Sequence, residues 1–149
     1  MDIKTNINII DINEIINIFK QYPNVFPGGY FRFLKGRLFK KIEKNEIIYE
    51  DGVILTWTKY KRKTKISPDI SILKGEIKIN QLVNKNQGNG MAKNVFQNFL
   101  NLNPKTIFYL DVKSDNIRAI KFYKKNGFQK VGEKTFGKDI QGIIMKRFK

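Results

Sequence analysis

A strand, a glycine-containing loop and a helix are predicted one after another between residues 76 and 102. The segment EIKINQLV is typical of a strand, and KNVFQNFLNL has the apolar spacing of a helix. Between them stands QGNGMA, whose two glycines tolerate backbone angles that other residues avoid. A strand that leads directly into a helix indicates a mixed α/β fold built around one sheet.

The rest of the chain predicts the other elements of such a fold. Asp11 and Glu14 have the spacing of a helix capping box, and the turn dipeptide Asp51-Gly52 favours a β-hairpin. We expect the order β-α-α-β-β-β-α-β-α-β-β. Its elements are a short strand at INII (7–10), helices near 11–22 and 31–42, a hairpin near 46–60, a long strand from about Ile70 to Val83, a helix from Gly90 to about Leu102, a strand at 106–112, a helix near 115–126, and strands near 128–133 and 142–148.

Length and composition restrict the class of protein. The chain has 149 residues, 41% of them hydrophobic, which suits one domain spanning residues 1–149. It contains no Cys and no His, so disulfides, thiolate nucleophiles, imidazole bases and the usual zinc ligands are excluded, and we expect no metal. Catalysis would have to use carboxylates, Tyr, Lys, Ser, Thr or backbone groups. The first residues lack a basic region followed by a long apolar region, and no apolar run approaches the roughly 20 residues that span a bilayer. We therefore expect a cytoplasmic protein without a membrane partner.

The charge of the chain is strongly positive. Lys and Arg number 29 against 13 Asp and Glu, a formal net charge of +16. Such a field attracts nucleic acid, anionic membranes, acidic proteins or a polyphosphate cofactor. Most of the basic residues are Lys, however, whereas Arg is better suited to forked contacts with phosphates and bases. Nucleic acid therefore stays open as a partner, beside the alternative of a merely solvated surface.

The loop QGNGMA has the character of an anion site. A helix that begins near Gly90 leaves its first amides without partners inside the helix and has a positive dipole at that end. Because Gly88 and Gly90 lack a Cβ, the N–H groups from about Gly88 to Ala92 could close around a phosphate oxygen. The loop is neither a Walker motif nor a dinucleotide fingerprint, because both spacings are absent. A flexible turn between strand and helix is the alternative interpretation.

Two motifs together resemble one known family. Gln87-x-x-Gly90-x-Ala92 is similar to the acyl-CoA-binding signature Gln/Arg-x-x-Gly-x-Gly/Ala of the GNAT superfamily of N-acetyltransferases. A second run further along resembles the other half of that family's core: Asn116-x-x-Ala119-x-x-Phe122-Tyr123-x-x-x-Gly127-Phe128. The motifs follow in the family's order and spacing. The resemblance implies a mixed central sheet flanked by helices, and acetyl-CoA as co-substrate.

The resemblance also implies roles for particular residues. Tyr123 matches the acid that protonates the departing thiolate, and Glu76 is the candidate base that receives the proton of the amine; alternatively Glu76 is one exposed strand residue among many. Asp111 and Glu50 are reserve candidates for the base. A backbone N–H at a bulge near Leu82 or Val83 would donate to the thioester carbonyl. The implied acyl-CoA-binding residues are Leu82, Val83, Gln87, Gly88, Asn89, Gly90, Met91, Ala92, Asn116, Ala119 and Phe122.

Several alternatives stay open for each side of the reaction. Phe122 and Phe128 also suit a core, Gly127 a helix end, and Asn116 a helix start. Aromatic residues of the loop near 22–33 either form an acceptor wall or pack in the core; they are Tyr22, Phe26, Tyr30 and Phe31. The acceptor is a primary amine, an amine carried on nucleic acid, or, in a non-catalytic member, absent. The acyl chain and the oligomeric state, including a homodimer, stay open.

Overall fold

The computed structural model of the chain describes residues 9–26 and 30–148. Four α-helices and eight strands are found in these residues, with a single 3₁₀ helix at Tyr30–Phe33. The helices are α1 (Ile9–Lys20), α2 (Leu34–Glu43), α3 (Met91–Leu102) and α4 (Ile117–Lys125). The strands are β1 (Ile47–Glu50), β2 (Val53–Lys59), β3 (Thr64–Ser67), β4 (Ile70–Ile72), β5 (Ile77–Asn84), β6 (Phe108–Lys113), β7 (Gln129–Phe136) and β8 (Ile140–Arg147).

Six of the strands form one mixed sheet. Their order is β1-β2-β5-β6-β8-β7, and β3 pairs with β4 in a separate two-stranded sheet. Strands β5 and β6 run parallel, whereas β6 with β8 and β7 with β8 run antiparallel. The parallel register extends from Ile77 opposite Phe108 to Ile79 opposite Leu110, although both strands continue beyond it.

The chain divides into two compact units, which are described separately. Unit 1 contains residues 1–57 and 81–102, and unit 2 contains residues 58–80 and 103–149. Unit 1 packs the apolar stripes of α1 and α2 against side chains of β1, β2 and β5. The buried members of this core are Ile15, Ile18, Phe19, Leu34, Leu38, Ile47, Ile54 and Val83. Helix α3 adds Phe99, whose ring lies 4.4 Å from that of Trp57 on β2.

Unit 2 contains the β3–β4 hairpin, β6, α4, β7 and β8. Here Ile72 of the hairpin is fully buried with Tyr109 of β6 and Ile144 of β8. Gly132 allows the hairpin to pack closely on the sheet because it has no Cβ. A Cβ at that position would lie only 2.7 Å from Ile70 Cδ1, which is too close for two carbon atoms. No helix in the described part of either unit is long and apolar enough to cross a membrane.

The mixed α/β class predicted from the sequence is confirmed, and so is the hairpin at Asp51-Gly52. Both turn residues have positive φ, 53° and 75°. The strand predicted at INII is wrong where it can be compared: residues 7 and 8 lie outside the described residues, and Ile9 and Ile10 begin helix α1. Asp11 consequently lies inside the first turn of α1 instead of capping it.

The single strand predicted from about Ile70 to Val83 is divided into β4 and β5. A turn at residues 73–76 separates them, with Gly75 at φ +87°. The Glu76 carboxylate accepts a hydrogen bond from the Leu73 N–H at 2.7 Å, which closes the turn. Apolar residues on both sides gave the sequence a strand-like appearance, and the turn depends on one glycine and one side-chain hydrogen bond.

Candidate acyl-CoA site

The glycine loop, residues 87–92, is in unit 1 at the start of α3. Gly88 and Gly90 have φ values of +84° and +79°, and a Cβ at either position would have no atom within 4 Å. Gly90 O accepts the first helical hydrogen bond, from Asn94 N–H at 3.3 Å, and no acidic residue lies in the first turn of α3. The loop is exposed, and its helix end keeps its positive dipole without a neighbouring carboxylate in that turn.

Two asparagine side chains form hydrogen bonds that hold this loop in its conformation, and the sequence did not predict this structural role. Asn84, the last residue of β5, donates through Nδ2 to Asn89 Oδ1 at 2.9 Å, and its own Oδ1 accepts from the Asn86 N–H at 3.1 Å. Asn89 Oδ1 also accepts from the Met91 N–H at 3.1 Å. Asn84 O accepts from the Tyr22 hydroxyl. These hydrogen bonds therefore fix the Asn89 side chain between the end of β5 and the start of α3.

Leu82 and Val83 occupy the carboxyl-terminal half of β5 in unit 1. Val83 is buried in the core of this unit, and Leu82 is half-buried. The neighbouring Gln81 N–H donates to the Thr56 hydroxyl at 3.1 Å. The proposed bulge with a carbonyl-binding amide near Leu82 or Val83 stays a prediction.

The second motif forms the amino-terminal part of α4 in unit 2. Asn116 caps this helix, because its side-chain oxygen accepts a hydrogen bond from the Ala119 N–H at 3.2 Å. This geometry agrees with the helix-start interpretation and says nothing against a ligand contact by the amide nitrogen of the same side chain. Gly127 ends the helix at φ +91°, and Phe128 beyond it is buried. Phe122 is half-buried.

Tyr123 lies on α4, and its ring makes edge contacts with two other aromatic rings. Ring centroids of Phe122 and Phe128 lie 5.5 Å and 5.8 Å from that of Tyr123. Burial raises the pKa of the Tyr123 phenol well above its usual range, and the negative charge of Asp111 adds to the shift. The phenol is therefore protonated at neutral pH, as a proton donor must be.

Asp111 of β6 is the centre of an ionic cluster in unit 2. Its Oδ2 lies 2.7 Å from Lys78 Nζ of β5 and 3.1 Å from Lys134 Nζ of β7. Burial alone would raise the pKa of this carboxyl, but the two ammonium groups outweigh burial and hold the pKa below its usual range. Asp111, a reserve candidate for the base, is thus an ionised but weakly basic carboxylate.

Glu76 stands just before β5, in the turn that its carboxylate closes. Besides accepting from the Leu73 N–H, the residue accepts a backbone hydrogen bond from Tyr60 N–H at 3.0 Å. The carboxylate of the candidate base therefore has a structural partner. Its catalytic role stays a prediction.

The aromatic residues of the first loop pack on the core of unit 1. Tyr22, Phe26, Tyr30 and Phe31 are all partly buried against it. The Tyr30 hydroxyl accepts a hydrogen bond from Gln81 Nε2, and burial raises its pKa to about 12. Core packing is thus the observed role of this group, and the acceptor wall stays a prediction. Residues 27–29 of the same loop lie outside the described residues.

The structure groups the predicted site residues by unit. Leu82, Val83 and the glycine loop belong to unit 1, while Glu76, Asn116, Ala119, Phe122 and Tyr123 belong to unit 2. Among the described residues, no group of three or more His, Cys, Asp or Glu side chains could hold a metal ion.

Comparison with known proteins identifies the family. The sequence matches the family described as "Acetyltransferase (GNAT) domain" over residues 38–148. No curated protein sequence matches the chain closely. Three solved structures have similar folds. Ard1 from Thermoplasma volcanium has a TM-score of 0.72 and 16% sequence identity, and the match covers 96% of this chain and 94% of that one. For ribosomal-protein-alanine N-acetyltransferase from Brucella melitensis the TM-score is 0.68 and the identity 9%, with 97% and 98% covered, and for PaiA N-acetyltransferase from Thermoplasma acidophilum in complex with coenzyme A the TM-score is 0.66 and the identity 17%, with 97% of each chain covered.

At these identities the solved structures show the fold alone. The match to the family covers most of the chain, includes both motifs and runs from α2 to the end of β8. The chain therefore belongs to the GNAT acetyltransferase family.

Proposed function

We propose that the protein transfers an acetyl group from acetyl-CoA to a primary amine by direct attack of the amine on the thioester. The observation that carries this proposal is the glycine loop. Two residues at positive φ leave open space beside the start of α3, where a pyrophosphate would accept hydrogen bonds from backbone N–H groups. Membership of the family and the coenzyme A held by one structural neighbour agree with it.

The reaction would need few protein groups. The neutral amine attacks the thioester carbonyl carbon, the C–N bond forms, and the C–S bond breaks to release the coenzyme A thiolate. A backbone N–H near Leu82 or Val83 would donate to the carbonyl oxygen, and the Tyr123 phenol would donate to the departing sulfur. Gln87, Gly88, Asn89, Gly90, Met91 and Ala92 would hold the phosphates, and Asn116, Ala119 and Phe122 the pantetheine arm.

The amine must lose a proton, because an alkylammonium has a pKa of about 10. Glu76 is our candidate for the acceptor of that proton, directly or through water. Glu76→Gln tests it and keeps a side-chain oxygen for the Leu73 N–H. We expect kcat/KM to fall most at low pH with little change in stability. An unchanged pH profile would remove Glu76 from the mechanism.

The function itself is tested by incubating the protein with acetyl-CoA and separate acceptors. The panel comprises polyamines, amino acids, peptides, tRNA and DNA, with free thiol and acceptor mass both followed. A mass increase of one acetyl group on an amine, together with equal release of thiol, supports the proposal. One structural neighbour is named as a ribosomal-protein-alanine N-acetyltransferase, so peptides belong in the panel.

A second candidate acceptor is an amine carried on nucleic acid, and the distribution of charge favours it. Unit 2 has 19 Lys and Arg and 6 Asp and Glu, so that 19 minus 6 gives +13 of the chain's +16. Its segment 59–65 contains Lys61, Arg62, Lys63 and Lys65, which form no ion pair with the described residues. At saturating acetyl-CoA, KM for such an acceptor should rise steeply with salt. A flat salt response would discard it.

A non-catalytic role is the third reading, in which the fold binds a partner through its basic face. Calorimetry with acetyl-CoA and longer acyl-CoA thioesters separates this reading from the enzyme. Binding of any of them, followed by thiol release with an amine, contradicts the non-catalytic role. A folded protein that binds none of them supports it.

A further inference from the structure

A surface of unit 1 that the proposed reaction does not use combines basic and aromatic residues. It consists of exposed residues from the 3₁₀ helix to the residue that follows α2, and we call it the α2 surface. Its members are Arg32, Phe33, Lys35, Gly36, Arg37, Phe39, Lys40 and Lys44. Leu34 and Leu38 of the same helix are buried in the core of unit 1, so the α2 surface lies on the side of the helix that points away from this core.

The α2 surface has an excess of positive charge. Within residues 9–26 and 30–148, no ion pair is formed by any of its five basic side chains, which are Arg32, Lys35, Arg37, Lys40 and Lys44. The only acidic residue of α2 is Glu43 at its end. Lys41 differs from the other lysines of the helix, because it is half-buried and pairs with Glu46 at 3.4 Å. The charge of the α2 surface therefore stays available to an anionic partner.

Two phenylalanine rings are exposed in the same surface. Phe33 is 57% exposed and Phe39 is 40% exposed, although Phe is among the residues most often buried. Gly36 lies three residues from each of them, and residues three apart are neighbours on a helix. A Cβ at Gly36 would have no atom within 4 Å, so no packing contact accounts for a glycine that weakens the helix. The row from Phe33 to Phe39 thus presents two rings with a gap between them.

We propose that the α2 surface binds single-stranded RNA. Phosphates would accept hydrogen bonds from the Lys and Arg side chains, and unpaired bases would stack on Phe33 and Phe39. The gap at Gly36 would let a base approach the helix between the two rings. The Arg32 guanidinium lies 5.3 Å from the centre of the Phe33 ring, so a charge for a phosphate and a plane for a base stand next to each other.

Other anionic partners fit the α2 surface less well. A duplex keeps its bases stacked inside, where two rings on a helix surface do not reach them, whereas RNA offers unpaired bases in its loops, bulges and ends. An acidic protein would use the charge and leave the rings without a matching group. An anionic membrane binds a helix through its apolar face, but the apolar stripe of α2 is buried in unit 1.

Binding is measured on the whole protein by fluorescence anisotropy without acetyl-CoA, so the result does not depend on acetyl transfer. The probes are labelled oligouridylate and oligoadenylate of about 12 nucleotides, oligothymidylate, and an RNA duplex of the same length. We expect single-stranded RNA to bind at least about threefold more tightly than the duplex, although the duplex carries twice as many phosphates. The affinity should fall as the salt concentration rises, because bound counterions are released.

Two variants test the phenylalanine rings. Phe33→Ala and Phe39→Ala should each weaken the binding of single-stranded RNA by roughly fivefold to 100-fold, the usual effect of losing one stacked base, and Phe33→Tyr should keep the affinity. The matched control is Phe148→Ala in unit 2. Phe148 is 50% exposed and, like Phe33, has a basic group beside its ring, with Lys146 Nζ at 4.6 Å from the ring centre. This control should bind RNA like the wild type.

Two further variants test the basic side chains. Lys35→Gln and Lys40→Gln should each weaken binding about twofold to fivefold and reduce the slope of log Kd against log salt by about 0.7, the value for one phosphate of a single strand. Lys61→Gln and Lys63→Gln, in the exposed segment 59–65 of unit 2, are the controls. A larger loss in these two controls would place the RNA on unit 2 and overturn the inference.

Three other outcomes also overturn it. Ring variants that bind like the wild type, or that lose no more affinity than Phe148→Ala, show that no base stacks on the α2 surface. Tighter binding of the duplex or of oligothymidylate than of single-stranded RNA contradicts the choice of partner. Sedimentation with vesicles of phosphatidylcholine and phosphatidylserine that Phe33→Ala abolishes, without binding of RNA, assigns the surface to a membrane. Release of thiol from acetyl-CoA is followed separately, so failure of the proposed function is recognised by itself.

Discussion

Gly90→Ala is the most direct test of the glycine loop, because its effect can be estimated from the backbone. Gly90 has φ +79°, and a Cβ there would have no atom within 4 Å. The substitution therefore causes no clash in the free protein, and its cost comes from the backbone angle alone. An L-residue in the left-handed region costs about 1–2 kcal/mol. The exposed loop can relieve this cost by rotating its amides away from their present direction.

The loss of affinity follows from the hydrogen bonds that such a rotation breaks. A hydrogen bond to a charged group contributes about 1.5–3 kcal/mol, and each 1.4 kcal/mol corresponds to a factor of about ten in Kd. Loss of one amide contact to the pyrophosphate should raise the Kd of acetyl-CoA by about 10- to 100-fold. Isothermal titration calorimetry measures the affinity, and thermal unfolding measures the stability.

Gly75→Ala is a matched control within the same chain. Gly75 has φ +87° and also no atom within 4 Å of a Cβ, but it belongs to the turn between β4 and β5. Gly75→Ala should lose stability by up to about 1–2 kcal/mol without losing affinity, and only Gly90→Ala should lose affinity. A folded Gly90→Ala protein that binds acetyl-CoA with the wild-type Kd would refute the phosphate-binding role of the loop.

Three further predictions concern single side chains. Asn84→Ala removes the hydrogen bond to Asn89, so the Kd of acetyl-CoA should rise roughly threefold to tenfold. S-acetyl-pantetheine, which lacks the pyrophosphate, should react with an unchanged KM. Equal losses for both substrates would contradict the phosphate-binding role of the loop. Tyr123→Phe keeps the ring and should lower kcat about tenfold without changing acetyl-CoA affinity, measured by single-turnover kinetics; an undiminished rate of the chemical step would leave Tyr123 a packing residue. Because the pKa of Asp111 is held below its ordinary value of 3.8, this carboxylate stabilises the fold above that pH and loses its effect as the pH falls through the lowered pKa. In urea unfolding, the difference in free energy of unfolding between wild type and Asp111→Asn should therefore shrink on acidification. A difference that stays constant with pH would contradict this prediction.

The sequence predicted those elements whose signals are local. The hairpin at Asp51-Gly52 and the helix end at Gly127 depend on residues that tolerate positive φ, and both lie where expected. Helix α2 follows from the apolar positions Leu34 and Leu38, which are buried. The loop before α3 follows from its two glycines. In each case a few neighbouring residues decide the conformation, so a reading along the chain can find it.

The parts that the sequence did not predict depend on contacts between distant residues. Asp111 forms ion pairs with Lys78 and Lys134 because three different strands place the side chains next to one another. The spacing of these residues along the chain gives no sign of the ion pairs. The brace between Asn84 and Asn89 is shorter in sequence, but nothing distinguishes these two residues from the many other asparagines of an Asn-rich chain. The apolar run at Ile9 and Ile10 predicted a strand, but both residues belong to α1, which packs on the core through later residues of the same helix.

The raised pKa of Tyr123 restricts what its hydroxyl can do. A thiol has a pKa near 8.5, below the ordinary phenol value of about 10. Burial and the negative charge of Asp111 raise the pKa of Tyr123 and so widen its difference from the pKa of the thiol. Complete transfer of the proton from Tyr123 to the departing thiolate is therefore unfavourable by at least about 2 kcal/mol, at 1.36 kcal/mol for each pKa unit. The phenol can still stabilise the thiolate by donating a hydrogen bond, and water can then protonate the sulfur. In the proposed mechanism Tyr123 would therefore act as a hydrogen-bond donor that stays protonated. For this reason we place the effect of Tyr123→Phe near tenfold and expect no decrease in rate from phenol ionisation below about pH 10.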